Sequence, residues 1–186
     1  MNFVQPIRDP ALIRSIEKYL LATNERNYIL FLFGIYTGLR ISDILSLRVA
    51  DVKGKKFLVI KESKTKRKKN NTRTIELNPT LRKALRSFLK DREGHEYLIK
   101  SRVGKNKAIT RERAYDILRE VADIFEIESL GCHSMRKTLG FHIYHQTKDI
   151  VTVQKVLNHE NPKHTLRYIG IEQDQVNTTL AKMKYY

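Results

Sequence analysis

The sequence predicts an α+β fold, mainly helical, with a small antiparallel β-sheet. Three observations carry this expectation. Apolar residues recur at helical spacing along most of the chain, and most runs open on a capping residue or a proline. One stretch breaks that rhythm. Phe57-Leu58-Val59-Ile60 reads as a strand, and Arg73-Thr74-Ile75-Glu76-Leu77 alternates and reads as another. The segment between them, Lys61 to Thr72, is polar and highly basic, so a hairpin with a charged tip is the simplest connection.

The elements follow in order. Asp9-Pro10 starts a helix, with Asp9 as cap and proline in the first turn, and Leu12, Ile13, Ile16, Tyr19 and Leu20 recur behind it. Asn24 caps a second helix through Leu30, Phe33 and Ile35, which Gly38 stops in the left-handed conformation. A short third helix begins near Arg40 to Ser42 and carries Ile44, Leu45 and Leu47. After the hairpin, Pro79 opens a helix with Leu81, Leu85 and Leu89. A loop around Gly94 and an extended piece at Tyr97-Leu98-Ile99 come next. Thr110 caps a helix whose Ala114, Ile117, Leu118, Val121 and Phe125 share one face. Further helices are expected at His133 to Gln146, after Asp149, after Pro162 and over Glu172 to Lys182. The pattern shows no repeat, no low-complexity linker and no clear boundary, so residues 1–186 read as one domain.

The balance of 36 Lys and Arg against 20 Asp and Glu leaves +16 at pH 7, which calls for a polyanionic partner, nucleic acid first. A membrane surface is disfavoured because no basic amphipathic helix stands out. The one cysteine, Cys132, cannot form an internal disulfide, which fits a reducing interior. The opening residues lack the apolar core of a secretory signal, and the apolar run Tyr28 to Tyr36 is too short to span a bilayer. The expected location is the cytoplasm, in contact with the chromosome.

Four clusters could do chemistry. Lys64, Lys66, Arg67, Lys68 and Lys69 crowd the hairpin tip, where a phosphate backbone would relieve their mutual repulsion, and Arg73 lies just beyond. Arg40, in TGLRISD, follows the glycine stop, so rigid backbone can aim its forked donors at phosphate oxygens. Asp43 is spaced to hold it. His133 and Arg136 share one helix face and can bring a proton-transfer group and a fixed cation to one phosphate. His159 precedes Tyr168 by nine residues, and nothing local marks that tyrosine as a nucleophile. Taken singly, the last three read as a surface ion pair, a core histidine beside an arginine, and a core tyrosine. One cysteine cannot complete a structural zinc site, and neither a phosphate-binding glycine loop nor a carboxylate cluster is present. Phosphoryl transfer here would use cationic side chains and a protein nucleophile.

As an ordered set these residues resemble the tyrosine recombinase, or phage integrase, family. TGLRISDILSL is similar to that family's first arginine box, HSMR to its His-x-x-Arg box, and LNHENPKHTLRYI to the box that ends in the nucleophile. Lys64 falls on the hairpin where the family keeps its catalytic lysine. The resemblance spans Arg40 to Tyr168 and implies the tyrosine recombinase catalytic-domain fold of DNA breaking-rejoining enzymes. It implies that Tyr168 attacks a DNA phosphate to form a 3′-phosphotyrosyl link and release a 5′-hydroxyl. Arg40 and Arg136 would hold the non-bridging oxygens, Lys64 would protonate the leaving oxygen, His133 and His159 would assist, and Asp43 would support Arg40. No cofactor, metal or ATP is expected, because bond energy is kept in the phosphotyrosine.

Two departures stand out. Asn158 occupies the position before the second histidine where the family usually has glycine, and asparagine tolerates the left-handed conformation. The usual N-terminal clamping domain is expected to be absent. The final helix carries Val176, Leu180 and Met183 on an apolar stripe. Two placements are open: against its own core, or docked on a neighbouring protomer with Gly170 as hinge, as the resemblance implies. Two other readings compete. A type IB topoisomerase resembles the family in chemistry and fold, but the small size and motif wording favour a recombinase. A DNA-binding regulator that has lost catalysis is opposed by the complete residue set.

Overall fold

The computed structural model describes residues 4–61, 72–159 and 161–184. Among these residues the elements are α1 (Pro10–Thr23), α2 (Glu25–Thr37), α3 (Ile41–Ser46), α4 (Val49–Val52), β1 (Phe57–Lys61), β2 (Thr72–Glu76), α5 (Pro79–Phe88), α6 (Arg111–Ile124), α7 (Cys132–Thr147), α8 (Ile150–Val156), α9 (Pro162–Tyr168) and α10 (Ile171–Ala181). The expected fold class is what the chain adopts: mostly helical, with one two-stranded antiparallel sheet.

The helix starts are set by the side chains that predict them. Asp9 accepts from the Ala11 N–H, Asn24 from Asn27, Thr110 from Arg113 and Asp149 from Val151. Each bond satisfies one of the donors a first turn leaves orphaned. Gly38 ends α2 at φ 62, a conformation that costs a side chain its Cβ clearance. The strands pair Leu58 with Ile75 and Ile60 with Arg73, which turns Leu58, Ile60 and Ile75 inward and leaves Phe57 and Val59 exposed. The expected extended piece at Tyr97-Leu98-Ile99 is reduced to isolated bridges, Tyr97 to Arg48 and Lys100 to Ala108, with Leu98 and Ile99 in a turn between them. One element was not expected. The four-residue α4 forms where the Arg48 N–H donates to Asp51 Oδ2 at 2.7 Å, ahead of buried Val49 and Val52.

Two apolar clusters organise the chain. The larger is built on α2, whose residues from Ile29 to Ile35 are all buried, with α1, α5 and α6 packed around it. The smaller joins Phe141, Val153, Leu157, Ile169 and Ile171 beneath the C-terminal helices. Helix α7 belongs to both, through Met135 at one end and Phe141 at the other. It crosses α2 where Gly34 leaves no side chain: a Cβ there would lie 2.4 Å from Met135 Sδ and 2.6 Å from its Cβ. Seated between the clusters, the first turns of α7 face the ends of α2, α8 and α9.

Candidate active site

The site assembles from five places in the chain. Arg40 is the cap residue of α3, in extended backbone two residues past Gly38, and is half-buried. Asp43, in the first turn of α3, is buried, and its N–H donates to the Arg40 carbonyl at 2.9 Å. His133 and Arg136 stand in the opening turns of α7. His159 follows α8 after Asn158, whose φ of 48 is the left-handed conformation expected at that position. Tyr168 is the last residue of α9, followed by buried Ile169 and by Gly170 at φ 82.

The nucleophile candidate is enclosed by the other named groups. The Tyr168 hydroxyl lies 3.3 Å from His133 Nδ1. The ring of His159 meets the Tyr168 ring edge to face, with centroids 4.9 Å apart, and its Nδ1 is held 3.2 Å from Thr165 Oγ1 in the same helix as the tyrosine. Arg136 is 2% exposed, and its guanidinium donates to the carbonyls of Gly38 and Leu157. Those are the cap residues ending α2 and α8, so the cation meets two helix C-termini, where carbonyls are orphaned and the macrodipole is negative. The geometry fixes Arg136 in place before any substrate arrives.

Charge and burial set the protonation states. Burial pushes the Tyr168 phenol above its ordinary value, against the pull of Arg136, which also hydrogen-bonds it, and of Arg40. His133 is held below the usual imidazole range, first by desolvation of its ring and then by Arg136, Lys137 and Arg40. A protonated phenol beside a neutral imidazole is a donor and an acceptor for one proton. A pair of guanidiniums beside them is a receptor for an anion.

Arg40, His133, Arg136, His159 and Tyr168 are thus brought together, with Asp43 behind Arg40. Arg73 is placed differently. Its Nη2 donates to the Val156 carbonyl at 2.5 Å, so it ties β2 to the end of α8. Lys64, Lys66, Arg67, Lys68 and Lys69 lie outside the described residues; the strands that flank them form the expected hairpin. Among the described residues, no three His, Cys, Asp or Glu side chains gather as metal ligands, and no helix is long and apolar enough to cross a membrane. Sequence reasoning missed Lys137, whose Nζ stands 5.2 Å from the centroid of the Tyr168 ring. The available signal was its i, i+4 spacing from His133.

The model of the phage integrase family matches residues 10–175. The chain belongs to the phage integrase family. Within it, a probable integrase/recombinase YoeC of Bacillus subtilis (strain 168) is 47% identical over 186 residues, covering 100% of this chain and 98% of that protein. The tyrosine recombinase XerC of Caldanaerobacter subterraneus is 27% identical over 164 residues, covering 85% of this chain but 45% of that protein. This integrase-family chain therefore matches the Bacillus protein end to end and spans about half of the longer relative. Among solved structures, the XerA recombinase matches with a TM-score of 0.74 at 18% identity, covering 97% of this chain and 65% of that one. The Tn1549 transposon integrase, in complex with transposon right end DNA, matches with a TM-score of 0.72 at 17% identity, covering 95% and 66%. Both are tyrosine recombinases in fold, a class of DNA breaking and rejoining enzymes.

Proposed function

We propose that this chain is a site-specific DNA recombinase whose residues 1–186 act as one catalytic domain. Tyr168 attacks a DNA phosphate, forms a 3′-phosphotyrosyl bond and releases a 5′-hydroxyl. The reverse attack by a 5′-hydroxyl of another strand restores the backbone and frees the tyrosine. The observation that carries this reading is the Tyr168 hydroxyl 3.3 Å from His133 Nδ1, beside a guanidinium already locked in place. His133 takes the phenol proton, and His159 braces the ring. Arg40 and Arg136 hold the non-bridging oxygens as charge develops, which preorganised cations do without reorganisation. Asp43 supports Arg40. Lys64 gives the leaving 5′-oxygen its proton, and Lys66, Arg67, Lys68, Lys69 and Arg73 follow the backbone of double-stranded DNA. For Arg73 that contact is made around its tie to Val156.

On paired sites the protein assembles as a homo-oligomer through the last helix, and it works in the cytoplasm on the chromosome. Val176, Leu180 and Met183 support the first point, being 48%, 66% and 58% exposed. The test is a library of duplexes with a nick beside a randomised sequence. The nick lets the short fragment that bears the released 5′-hydroxyl escape and traps the covalent form. The wild-type chain yields adducts that survive denaturant and share one sequence, and Tyr168→Phe yields none while still binding DNA. No adduct from the wild type favours a regulator that has lost catalysis. Adduct without sequence preference, with relaxation of supercoils by a monomer, favours topoisomerase activity.

A further inference from the structure

Lys137 follows Arg136 directly and stands outside the His-x-x-Arg box. It is 6% exposed, and a lysine is almost never that buried unless it is paired. Its Nζ donates to the Val4 carbonyl at 2.8 Å and stands 5.2 Å from the centroid of the Tyr168 ring, within the range of a cation–π contact. Burial holds the ammonium below the ordinary lysine value, and the contact with the ring is made where water is scarce.

Val4 begins an extended strap, residues 4–9, that crosses α7. The Gln5 N–H donates to the Ser129 carbonyl, the Ile7 N–H donates to Thr138 Oγ1 at 2.8 Å, and His142 Nε2 lies 3.0 Å from the Ile7 carbonyl. At its far end Arg8 pairs with Asp174 of α10 at 2.9 Å. Gly170, two residues past the nucleophile, sits against the same strap: Arg8 Nη2 and Gln5 Oε1 lie 3.3 and 3.7 Å from where its Cβ would be. One segment therefore touches the helix that faces Tyr168 and the turn that follows it. A simple strut between strap and helix would need only the Val4 carbonyl. The position over the ring is extra.

We propose that Lys137 is a positioning residue for the nucleophile: pinned by Val4, its ammonium holds the Tyr168 ring so that the hydroxyl stays with His133 and Arg136, and the N-terminal strap becomes part of the nucleophile's mount. The proposal rests on the reading of Tyr168 as nucleophile. Three substitutions separate charge from strut. Lys137→Gln keeps a donor for Val4 without charge, Lys137→Met keeps only the stem, and Lys137→Arg keeps both charge and donors.

Two readouts test it on the full chain. In protein with ¹³C-labelled tyrosine rings and no DNA, the Tyr168 signal is the one lost in Tyr168→Phe. It shifts and broadens in Lys137→Gln and Lys137→Met and stays near wild type in Lys137→Arg. On a saturating nicked duplex selected from the library above, the Gln and Met variants form adduct about tenfold more slowly at unchanged DNA affinity, as expected for a nucleophile that spends less time aligned. Lys137→Arg recovers most of the rate. An unmoved Tyr168 signal in Lys137→Met overturns the proposal, as does Lys137→Gln matching wild type in both readouts. Absence of adduct from wild type instead sinks the nucleophile reading, and the ring signal still decides where Lys137 acts.

Discussion

His133 Nδ1 lies 3.3 Å from the Tyr168 hydroxyl, and the two groups are shifted in opposite directions. The imidazole is held below its ordinary value and the phenol above, so near neutral pH the phenol carries a proton and the imidazole carries no charge. Burial of the His133 ring, and then the charges of Arg136, Lys137 and Arg40, explain why added positive charge on it is disfavoured.

The pH dependence follows in sign. Neutral His133 is the working form as proton acceptor. Its lowered value moves the acid limb of cleavage below the free imidazole value of about 6.5. Adduct formation measured against pH at saturating DNA should therefore fall at lower pH than an ordinary histidine would set. His133→Gln should lose this limb along with most of the rate. Stability shifts the same way: the unfolded chain binds the His133 proton more readily, so acid below the unfolded value costs stability. An acid limb at or above the ordinary histidine value contradicts the assignment.

The two arginines differ in what else they do. Arg40→Ala and Arg136→Ala should each slow adduct formation by at least ~100-fold, the scale for losing one transition-state donor. Arg136→Ala should also lower unfolding free energy by about 2–5 kcal/mol, because two buried carbonyls at the ends of α2 and α8 lose their donor. Half-buried Arg40 should cost about 1 kcal/mol or less. Urea unfolding of both variants beside wild type checks the split. Equal stability losses would mean that Arg136 is not the strut described.

Much of this site was legible because its markers are local. Asp9, Asn24, Thr110 and Asp149 cap where capping chemistry says they should, and Gly38 and Asn158 take the left-handed backbone their side chains permit. The order Arg40, His133, Arg136, His159, Tyr168 also survives folding as proximity. What stayed hidden depends on distance. The carbonyls that hold Arg136 lie 98 and 21 residues away, and the one under Lys137 lies 133 residues away. No periodicity encodes such pairs. Helix α4 was missed because four residues are too few for a helical period to show. The tie from Arg73 to the Val156 carbonyl, 83 residues away, was hidden in the same way.

Gly34 should be less replaceable than helix propensity implies. Alanine in a helix interior gains about 1 kcal/mol over glycine. Here the new Cβ would meet Met135 at its own Cβ, 2.6 Å away, which cannot retreat without moving α7. Overpacking of that kind costs about 1–3 kcal/mol. Gly34→Ala should therefore be net destabilising in urea and should slow adduct formation, since Arg136 follows Met135. A gain in stability would show that α7 has slack at this crossing.

Removal of the last helix tests assembly. Val176 and Leu180 on α10, with Met183 just past its end, form an apolar stripe that its own chain leaves more than 40% exposed. The stripe therefore contributes little to the stability of an isolated protomer. Within the chain, α10 is anchored by buried Ile171 and by the Arg8–Asp174 pair, whose side chains are 45% and 34% exposed. A partly exposed pair of this kind is worth about 0–1 kcal/mol. Ending the chain before Glu172 keeps Ile171 and should lower the melting temperature by only about 2–4 °C, the shift expected per kcal/mol at this size. On a duplex carrying two copies of the selected site, the truncated protein should bind each copy independently where the full chain binds cooperatively, and recombination should fall. Sedimentation and gel-shift titration read the two halves of this expectation. If the truncated chain unfolds, α10 belongs to its own core. If it stays folded, binds cooperatively and recombines normally, the stripe is not the oligomer contact.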